Sequence, residues 1–286
     1  MSKVIGVITA RMASTRLPGK VLKETAGKSI FAHHVERMRS IRGLDGVFLA
    51  TSKDPLNEDL IKEAEKLGCG WYAGAEQDVV ERHIALCERE SAYAVIRVTC
   101  DCPLFDIESA SNFVDIFKNV YHDFLYISNF PMLYGTLSEL ISYEALMVTH
   151  KHYMGPAVSI YIRENMNLFK TQSIEIENDL CRVEYRLTVD EPADFELMCC
   201  IYEALYKGYP LSLKEVYTWL DDNPDVAYIN KDIGIKGINL KAANLMETPL
   251  YSVIKSGNRY VILDSQKKPV EPLEFIDRIS KLFQDI

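Results

Sequence analysis

Short apolar runs alternate along the chain with stretches in which apolar residues recur every three or four positions. The first pattern is typical of buried strands and the second of amphipathic helices. The predicted strands of the first half are residues 4–8, 46–51, 69–73, 94–99 and 124–128. Helix-capping residues precede the stretches between them: Ser29, Asn57, Asp78 and Asp106. This alternation predicts an α/β fold with a mostly parallel sheet and right-handed crossovers.

The rhythm changes in the second half of the chain. Residues 137–142, 169–176 and 185–189 are predicted strands with irregular spacing between them, followed by helices that start at Pro192 and Ser212. We therefore expect an open mixed sheet with an antiparallel insertion. After Pro224 a hairpin over residues 252–263 and a helix over 271–283 are predicted. The expected organisation is a main domain of residues 1–224 and a small carboxyl-terminal extension of residues 225–286.

Charge and composition narrow the classes of partner and compartment. The 286 residues carry a net charge of −9, so electrostatics do not favour a nucleic-acid partner. The seven cysteines are odd in number and include no C-x-x-C pair, which indicates free, buried thiols in a reducing compartment. Neither an amino-terminal signal nor an apolar run of the roughly 20 residues that span a membrane is present. We expect a cytoplasmic protein without membrane contact.

A basic loop, residues 10–20, follows the first predicted strand. It contains Arg11, Arg16 and Lys20, with Ser14 and Thr15 between them. Ligands of open α/β sheets bind at the carboxyl ends of the strands, and guanidinium and ammonium groups suit phosphate oxygens. The loop matches neither the Walker A pattern nor a dinucleotide fingerprint. A phosphate site and an ordinary basic surface turn both stay open on this pattern alone.

Two aspartates stand where predicted strands end. Asp101 follows the strand over residues 94–99, and Asp190 follows the one over 185–189. Paired carboxylates at one sheet edge can share Mg²⁺, which prefers oxygen ligands and substrate phosphates. The alternative is that each residue is a turn or helix-capping aspartate.

Three ordered stretches resemble one enzyme family. They are residues 10–22 (Ala-Arg-Met-x-Ser-Thr-Arg-Leu-Pro-Gly-Lys-Val-Leu), 97–104 (Arg-Val-Thr-Cys-Asp-Cys-Pro-Leu) and 187–194 (Leu-Thr-Val-Asp-Glu-Pro-Ala-Asp). This order is similar to the cytidylyltransferases typified by spore-coat polysaccharide biosynthesis proteins, which are related to CMP-Kdo and acylneuraminate (CMP-sialic acid) synthetases. The resemblance covers roughly residues 3–220. It implies a Rossmann-like, GT-A-like fold of the nucleotide-diphospho-sugar transferases, in which the main domain is the nucleotidyltransferase.

The resemblance also implies a reaction and a set of residues. CMP would pass from CTP to an acceptor, with Mg²⁺ on Asp101 and Asp190 and release of pyrophosphate. The implied catalytic residues are Arg11, Arg16, Lys20 and Asp101. The implied nucleotide-binding residues are Ala10, Arg11, Ser14, Arg16, Lys20, Thr51, Ser52, Arg82 and Asp101. The expected acceptor-binding residues are Asn129, Glu139 and Tyr161.

Plainer interpretations stand beside several of these roles. Residues 51–52 could belong to a solvated turn and Arg82 to an exposed helix face. His33 and His34 fall on a predicted helix and are expected to be surface or packing residues. His150 and His152 lack a third metal ligand.

The acceptor is the least determined part of the prediction. Leu137 stands where relatives commonly carry Asp, which suggests an acceptor with fewer hydroxyls here, or one bearing a methyl, acyl or anionic group. The alternative is that Leu137 is a core residue. A sugar or sugar acid for a surface glycan is the leading acceptor. A phosphonate or phosphate ester, or a non-catalytic nucleotide-binding relative, are the alternatives. Homodimers are frequent in the family, and residues 134–169 are a candidate interface.

Overall fold

The structure is a computed structural model, and it describes residues 3–128, 135–153, 155–182, 184–233 and three strands of the tail. Within these residues no helix has both the length and the apolar character needed to cross a membrane.

A seven-stranded sheet forms the centre of the fold. The strands of the chain are β1 (Val4–Thr9), β2 (Glu24–Thr25), β3 (Lys28–Ser29), β4 (Val47–Ser52), β5 (Gly70–Gly74), β6 (Ala94–Thr99), β7 (Phe124–Ile127), β8 (Glu139–Ser142), β9 (Thr171–Ile174), β10 (Tyr251–Ser256), β11 (Arg259–Asp264) and β12 (Pro269–Val270). The strand order of the central sheet is β5-β4-β1-β6-β8-β7-β9. Strands β4, β1 and β6 run parallel in register, with Thr9 beside both Ala50 and Thr99. Their carboxyl ends therefore meet at one edge. Strand β8 is antiparallel to both neighbours, which confirms the predicted mixed sheet with an antiparallel insertion.

Helices cover both faces of the sheet, and each face has its own apolar core. Ser29, Asp78 and Asp106 cap helices as predicted, each accepting a hydrogen bond from an amide three residues later. The helices are α1 (Ile30–Arg39), α2 (Glu58–Lys66), α3 (Val79–Glu90), α4 (Ile107–Asn119), α5 (Tyr143–His152), α6 (Ile160–Glu164), α7 (Pro192–Leu205), α8 (Leu213–Asp222) and α9 (Pro224–Ala227), with 3-10 turns at Lys20–Leu22, Pro55–Asn57, Met166–Leu168 and Asn178–Leu180.

The predicted strand over residues 185–189 is wrong, because this segment joins no sheet. Tyr185, Leu187 and Val189 are buried, which gives the alternation that favoured a strand. The Val189 amide instead donates to the Asp101 carbonyl at 2.7 Å, so the segment is held against the loop after β6. Gly135 makes this course possible: at its φ of +97° a Cβ would lie 2.3 Å from the Leu187 carbonyl carbon.

The tail forms a separate antiparallel sheet in the order β10-β11-β12. Its first two strands confirm the hairpin predicted over residues 252–263. The helix predicted over 271–283 lies outside the described residues, and the division at residue 224 stays a prediction. All seven cysteines are free thiols; Cys69, Cys87 and Cys100 are buried, and the other four are partly exposed.

Candidate active site

The basic loop folds back on itself at the carboxyl edge of the sheet. Its ends meet where the Gly19 amide donates to the Met12 carbonyl at 3.2 Å. Gly19 has a φ of 65°, a conformation that glycine adopts without steric cost, and the turn Lys20–Leu22 follows directly. Ala10 and Leu17 are buried and anchor the loop. The loop thus has a defined shape that presents its cations along one edge.

Asn57 fixes this loop against strand β4. Its Oδ1 accepts from the Met12 amide at 2.8 Å, and its Nδ2 donates to the carbonyl and the Oγ of Ser52 at 3.1 and 2.9 Å. The predicted capping of α2 by this side chain is wrong, because no such hydrogen bond forms. Asn57 instead sets the separation between the basic loop and the end of β4.

Lys20, Asp101 and Asp190 come together at the edge, as their predicted shared role requires. The Lys20 ammonium lies 2.9 Å from Asp190 Oδ1 and 3.7 Å from Asp101 Oδ2, and it donates to the Val189 carbonyl at 2.7 Å. Burial alone would lower the pKa of Lys20, but the charges of Asp101 and Asp190 outweigh it and raise the pKa. Lys20 is therefore a fixed positive charge between two carboxylates.

Arg16 lies on the other side of Asp190. Its NH2 is 3.2 Å from Asp190 Oδ1, and its NH1 donates to Glu191 Oε1 at 3.1 Å. Burial alone would raise the pKa of Asp190, but Lys20, Arg16 and Arg186 outweigh it and lower the pKa. Ser14 lies at the same turn, where its Oγ accepts from the Leu17 amide at 3.4 Å. The cations predicted to bind phosphate are thus paired here with carboxylates of the chain itself.

Arg11, at the start of the basic loop, and Arg82, on helix α3, both contact Glu76. Arg11 is exposed and forms an ion pair with the Glu76 carboxylate at 2.6 Å. Arg82 is not the exposed helix residue that one interpretation expected, since it is 2% exposed. Its guanidinium donates to the carbonyls of Ala75 and Glu76, so it shapes the turn after β5. The carbonyl groups of a turn leave no mark in the sequence, which explains the wrong expectation.

Thr51 and Ser52 end strand β4 beside this turn, and both side chains are buried. The solvated turn that was the alternative interpretation is therefore wrong for these two residues. Any group that they offer to a base at this edge belongs to the main chain.

Glu139, which is predicted to contact the acceptor, lies in a cluster of polar and charged side chains. Glu139 is buried; its Oε1 accepts from Ser159 Oγ at 2.9 Å and from Arg163 NH2 at 2.6 Å, and its Oε2 accepts from Arg97 NH1 at 3.1 Å. Burial alone would raise the pKa of Glu139, but the two arginines outweigh it and lower the pKa to about 2.

Tyr161, which is also predicted to contact the acceptor, lies on helix α6, between Ser159 and Arg163 in the chain. Tyr161 stacks on His152, with ring centroids 5.2 Å apart, and Asn129 is outside the described residues. Leu137 is half-buried and packs against the core, as the plainer interpretation expected.

The donor chemistry of the edge fits a hard divalent cation. Mg²⁺ is commonly held by one or two carboxylates, with waters and substrate phosphates completing the shell, and Asp101 and Asp190 supply such a pair. The Lys20 ammonium between them demonstrates that the pair attracts positive charge. Across the described part of the chain, no three His, Cys, Asp or Glu side chains group together to hold a metal.

The histidines take structural positions. His150 is 2.7 Å from the helix-capping Asp78. His33 and His34 are buried, so of the two predicted alternatives, surface or packing, packing is the one that holds.

A model of the cytidylyltransferase family matches residues 5–215. This chain belongs to the cytidylyltransferase family. It is accordingly a nucleotidyltransferase, and the family predicted from the three motifs is confirmed. The matched region includes the basic loop, Asp101 and Asp190.

Two curated relatives align with this chain over nearly their whole length, and a third aligns over a short stretch. An uncharacterised protein of Methanocaldococcus jannaschii is 32% identical over 239 residues, spanning 81% of this chain and 96% of the relative. The spore coat polysaccharide biosynthesis protein SpsF of Bacillus subtilis is 29% identical over 237 residues, spanning 79% of this chain and 98% of the relative. A 3-deoxy-manno-octulosonate cytidylyltransferase of Anaeromyxobacter dehalogenans is 48% identical over 54 residues, or 19% and 22% of the two chains.

Solved structures confirm the Rossmann-like nucleotidyltransferase fold. A cytidylyltransferase of Leptospira borgpetersenii superposes with a TM-score of 0.74 at 24% identity, covering 79% of this chain and 97% of that one. A CMP-2-keto-3-deoxy-manno-octonic acid synthetase complexed with CTP superposes with a TM-score of 0.52 at 15% identity, covering 71% of this chain and 99% of that one.

Three polar residues of the site were missed by the sequence analysis: Arg186, Asp194 and Asn230. Asp194 stands inside the third matched stretch, at the third position of a helix that starts at Pro192, where an acidic residue typically caps. That pattern could have indicated a cap, but nothing in it indicated contacts to Arg186 and Asn230.

Proposed function

We propose that this enzyme is a Mg²⁺-dependent cytidylyltransferase that transfers CMP from CTP to a sugar or sugar-acid acceptor and releases pyrophosphate. The observation that carries the proposal is the position of Lys20 between Asp101 and Asp190, with Arg16 beside it, at the edge where β1 and β6 end. Family membership supports CTP as the nucleotide.

In this proposal the triphosphate replaces chain carboxylates as the partner of the loop cations. Arg16 leaves Glu191 and Asp190 and binds phosphate oxygens, to which its guanidinium can donate two parallel hydrogen bonds. Lys20 keeps its place and adds a compact positive charge. Arg11, which is exposed, reaches the outer part of the nucleotide after leaving Glu76. Main-chain groups at Ala10, Thr51 and Ser52 face the nucleoside, because both hydroxyl side chains at the end of β4 are buried.

The chemical step is a substitution at the α-phosphorus. The acceptor hydroxyl gives up its proton to solvent and its oxygen forms a bond to the α-phosphorus. The bond between that phosphorus and the bridging oxygen of the β-phosphate breaks, and the electron pair leaves with pyrophosphate. Arg16 and Lys20 stabilise the negative charge that develops on the leaving group, and the rigid loop supplies positioning. Enzymes of this family use a divalent cation. Asp101 and Asp190 would hold it, and it would neutralise phosphate charge near the reacting centre.

The charge around Glu139 favours an anionic acceptor. Two arginines, Arg97 and Arg163, form ion pairs with the single carboxylate of Glu139, at 3.1 and 2.6 Å. Arg163 also lies 5.0 Å from the centroid of the Phe124 ring, which holds its side chain in place. A sugar acid supplies the opposite charge, as does a phosphonate or phosphate ester. In this arrangement Glu139 orients the two arginines and does not accept hydrogen bonds from hydroxyls of the acceptor.

The test is a pyrophosphate-release assay. Each of the four ribonucleoside triphosphates is combined, with Mg²⁺, with a neutral hexose, a 2-keto sugar acid and a phosphonate. We expect turnover with CTP and with an anionic acceptor. A higher kcat/KM with a purine triphosphate would contradict the nucleotide assignment. Equal rates with neutral and anionic acceptors would contradict the acceptor assignment. Leu137→Asp, made in parallel, tests whether this half-buried residue influences the ranking of acceptors.

A further inference from the structure

The carboxylate of Asp194 accepts hydrogen bonds from several groups next to the proposed cation site. Asp194 lies in the first turn of α7 and is 1% exposed. Its two oxygens accept bonds from the amides of Asp190 and Glu191, both at 3.0 Å, and from Nε and NH2 of Arg186 at 2.8 and 3.1 Å. Asn230 Nδ2 adds a further bond at 2.8 Å.

Capping of α7 explains a small part of this arrangement. A capping residue at this position needs the bond to the amide of Glu191, the residue before the helix. The bond from the Asp190 amide fixes the backbone of the proposed cation ligand itself. The Arg186 guanidinium extends the connection, because its NH2 is also 3.4 Å from Asp190 Oδ2. Asp194 therefore holds both the main chain and a side-chain partner of Asp190.

Asn230 closes the arrangement from the other side. It is 3% exposed, and besides Asp194 its Nδ2 donates to the Arg186 carbonyl at 2.9 Å. The segment from Arg186 to Glu191 belongs to no sheet, so these side-chain bonds replace the ladder that would otherwise fix it. A buried carboxylate with this many donors is fully compensated for its burial and resists displacement.

We infer that Asp194 is a positioning residue, which aims the Asp190 carboxylate at the divalent cation through the Asp190 amide and Arg186. The inference rests on the proposed function, in which Asp190 is a cation ligand. Partners that orient a metal ligand typically contribute about 10–100-fold to metal affinity. Asp194 touches neither substrate nor cation, so its effect appears in how strongly the metal supports nucleotide binding.

The experiment measures CTP affinity by calorimetry, once with saturating Mg²⁺ and once with EDTA. The ratio of the two dissociation constants is the metal-dependent gain. We expect a clear gain in the wild type, little or none in Asp190→Asn, and a gain at least about fivefold smaller than the wild type's in Asp194→Asn. In EDTA the Asp194→Asn protein should bind CTP as the wild type does, because Arg16 and Lys20 are retained; a general loss of structure would lower both affinities.

The matched control is Glu215→Gln. Glu215 occupies the same position in the first turn of α8, where its exposed carboxylate accepts from the amide and the Oγ of Ser212 at 3.2 and 2.9 Å. The metal-dependent gain in CTP affinity of Glu215→Gln should equal that of the wild type. Asn230→Ala provides a second variant should Asp194→Asn fail to fold, and we expect a smaller loss of gain in the same direction.

The outcomes separate the two proposals. A wild-type gain that disappears in Asp190→Asn but is unchanged in Asp194→Asn and Asn230→Ala overturns the positioning role and leaves the proposed function standing. If Asp194→Asn does not fold, an unchanged gain in Asn230→Ala overturns the role. A gain that is the same in the wild type and Asp190→Asn overturns the cation role of Asp190, and the positioning role with it.

Discussion

Lys20 donates to Asp190 at 2.9 Å, an ion pair between residues 170 positions apart in the chain. It joins the loop after β1 to the segment before α7 and closes the edge of the sheet around Asp101. Since both side chains are only 12% exposed, the pair is poorly screened by solvent. The positive charge is thus already in place before a nucleotide arrives, with its partners supplied by the chain.

The loop cations are expected to favour the triphosphate over the monophosphate. Lys20→Ala and Arg16→Ala should each weaken CTP binding about ten- to a hundredfold, the usual effect of losing a charged hydrogen bond, and weaken CMP binding less. Calorimetric titration of both nucleotides measures this difference. Arg42→Ala is the control, because Arg42 pairs with Glu108 on the exposed surface. An equal loss of CMP and CTP affinity would contradict the assignment to the outer phosphates.

The paired aspartates are expected to control turnover. Asp101→Asn and Asp190→Asn keep the side-chain size but remove a charge, and each should lower kcat by at least about 100-fold, the scale of losing an electrostatic group of the transition state. Rates of pyrophosphate release, measured alongside thermal melting curves, separate this effect from unfolding. Rates near the wild type's in both variants would remove the aspartates from the mechanism.

The parts of the site that follow apolar runs could be predicted from the sequence, because a parallel sheet brings the ends of its strands together. This rule placed the basic loop and Asp101 at one edge. It failed for residues 185–189, since Tyr185, Leu187 and Val189 are buried against a loop rather than paired in a sheet. Alternate positions are buried both in a strand of a sheet and in a segment packed against a loop, so the sequence pattern is the same for both. Asp190 still reached the edge, through the hydrogen bond between Val189 and Asp101.

Side chains that act through tertiary contacts could not be predicted. Asn57 precedes a helix and matches the capping pattern, but its partners are the Met12 amide and Ser52. Arg82 lies on a helix of mixed polarity, and its burial depends on carbonyl groups of the turn after β5. In both cases the sequence reveals the residue type and the element, while the partner depends on how loops distant in sequence meet.

Asn57 is expected to matter for both stability and nucleotide affinity. Asn57→Ala would leave the half-buried Met12 amide without its acceptor and would remove the bonds from Asn57 to Ser52, so the free energy of unfolding should fall by about 1–3 kcal/mol. CTP affinity should also fall, because the loop loses its fixed distance from β4. Urea unfolding and CTP titration test the two effects. Asp54→Ala is the control: its carboxylate bonds the exposed Leu56 amide at 2.9 Å, and nucleotide affinity should not change. Wild-type CTP affinity in Asn57→Ala would restrict Asn57 to a stabilising role.

Glu139 is expected to make stability depend on pH in the acid range. Its pKa in the folded protein is lowered to about 2, against 4.5 for the ordinary side chain, so the unfolded chain takes up the proton first as pH falls. The stabilisation is therefore complete above about pH 5, declines as pH drops through 4.5, and is lost near pH 2. A difference of this size corresponds to about 3 kcal/mol.

Glu139→Gln should accordingly be less stable than the wild type at pH 7, and the gap should narrow steadily as pH falls from about 5 to 3. Urea unfolding at pH 7, 5, 4 and 3 measures the gap, and comparison with the variant cancels the contribution of the other carboxylates. Glu108→Gln is the control, since Glu108 is 68% exposed in its pair with Arg42 and surface pairs contribute little. A gap for Glu139→Gln that is the same at pH 7 and pH 3 would mean that Arg97 and Arg163 do not hold this carboxylate ionised.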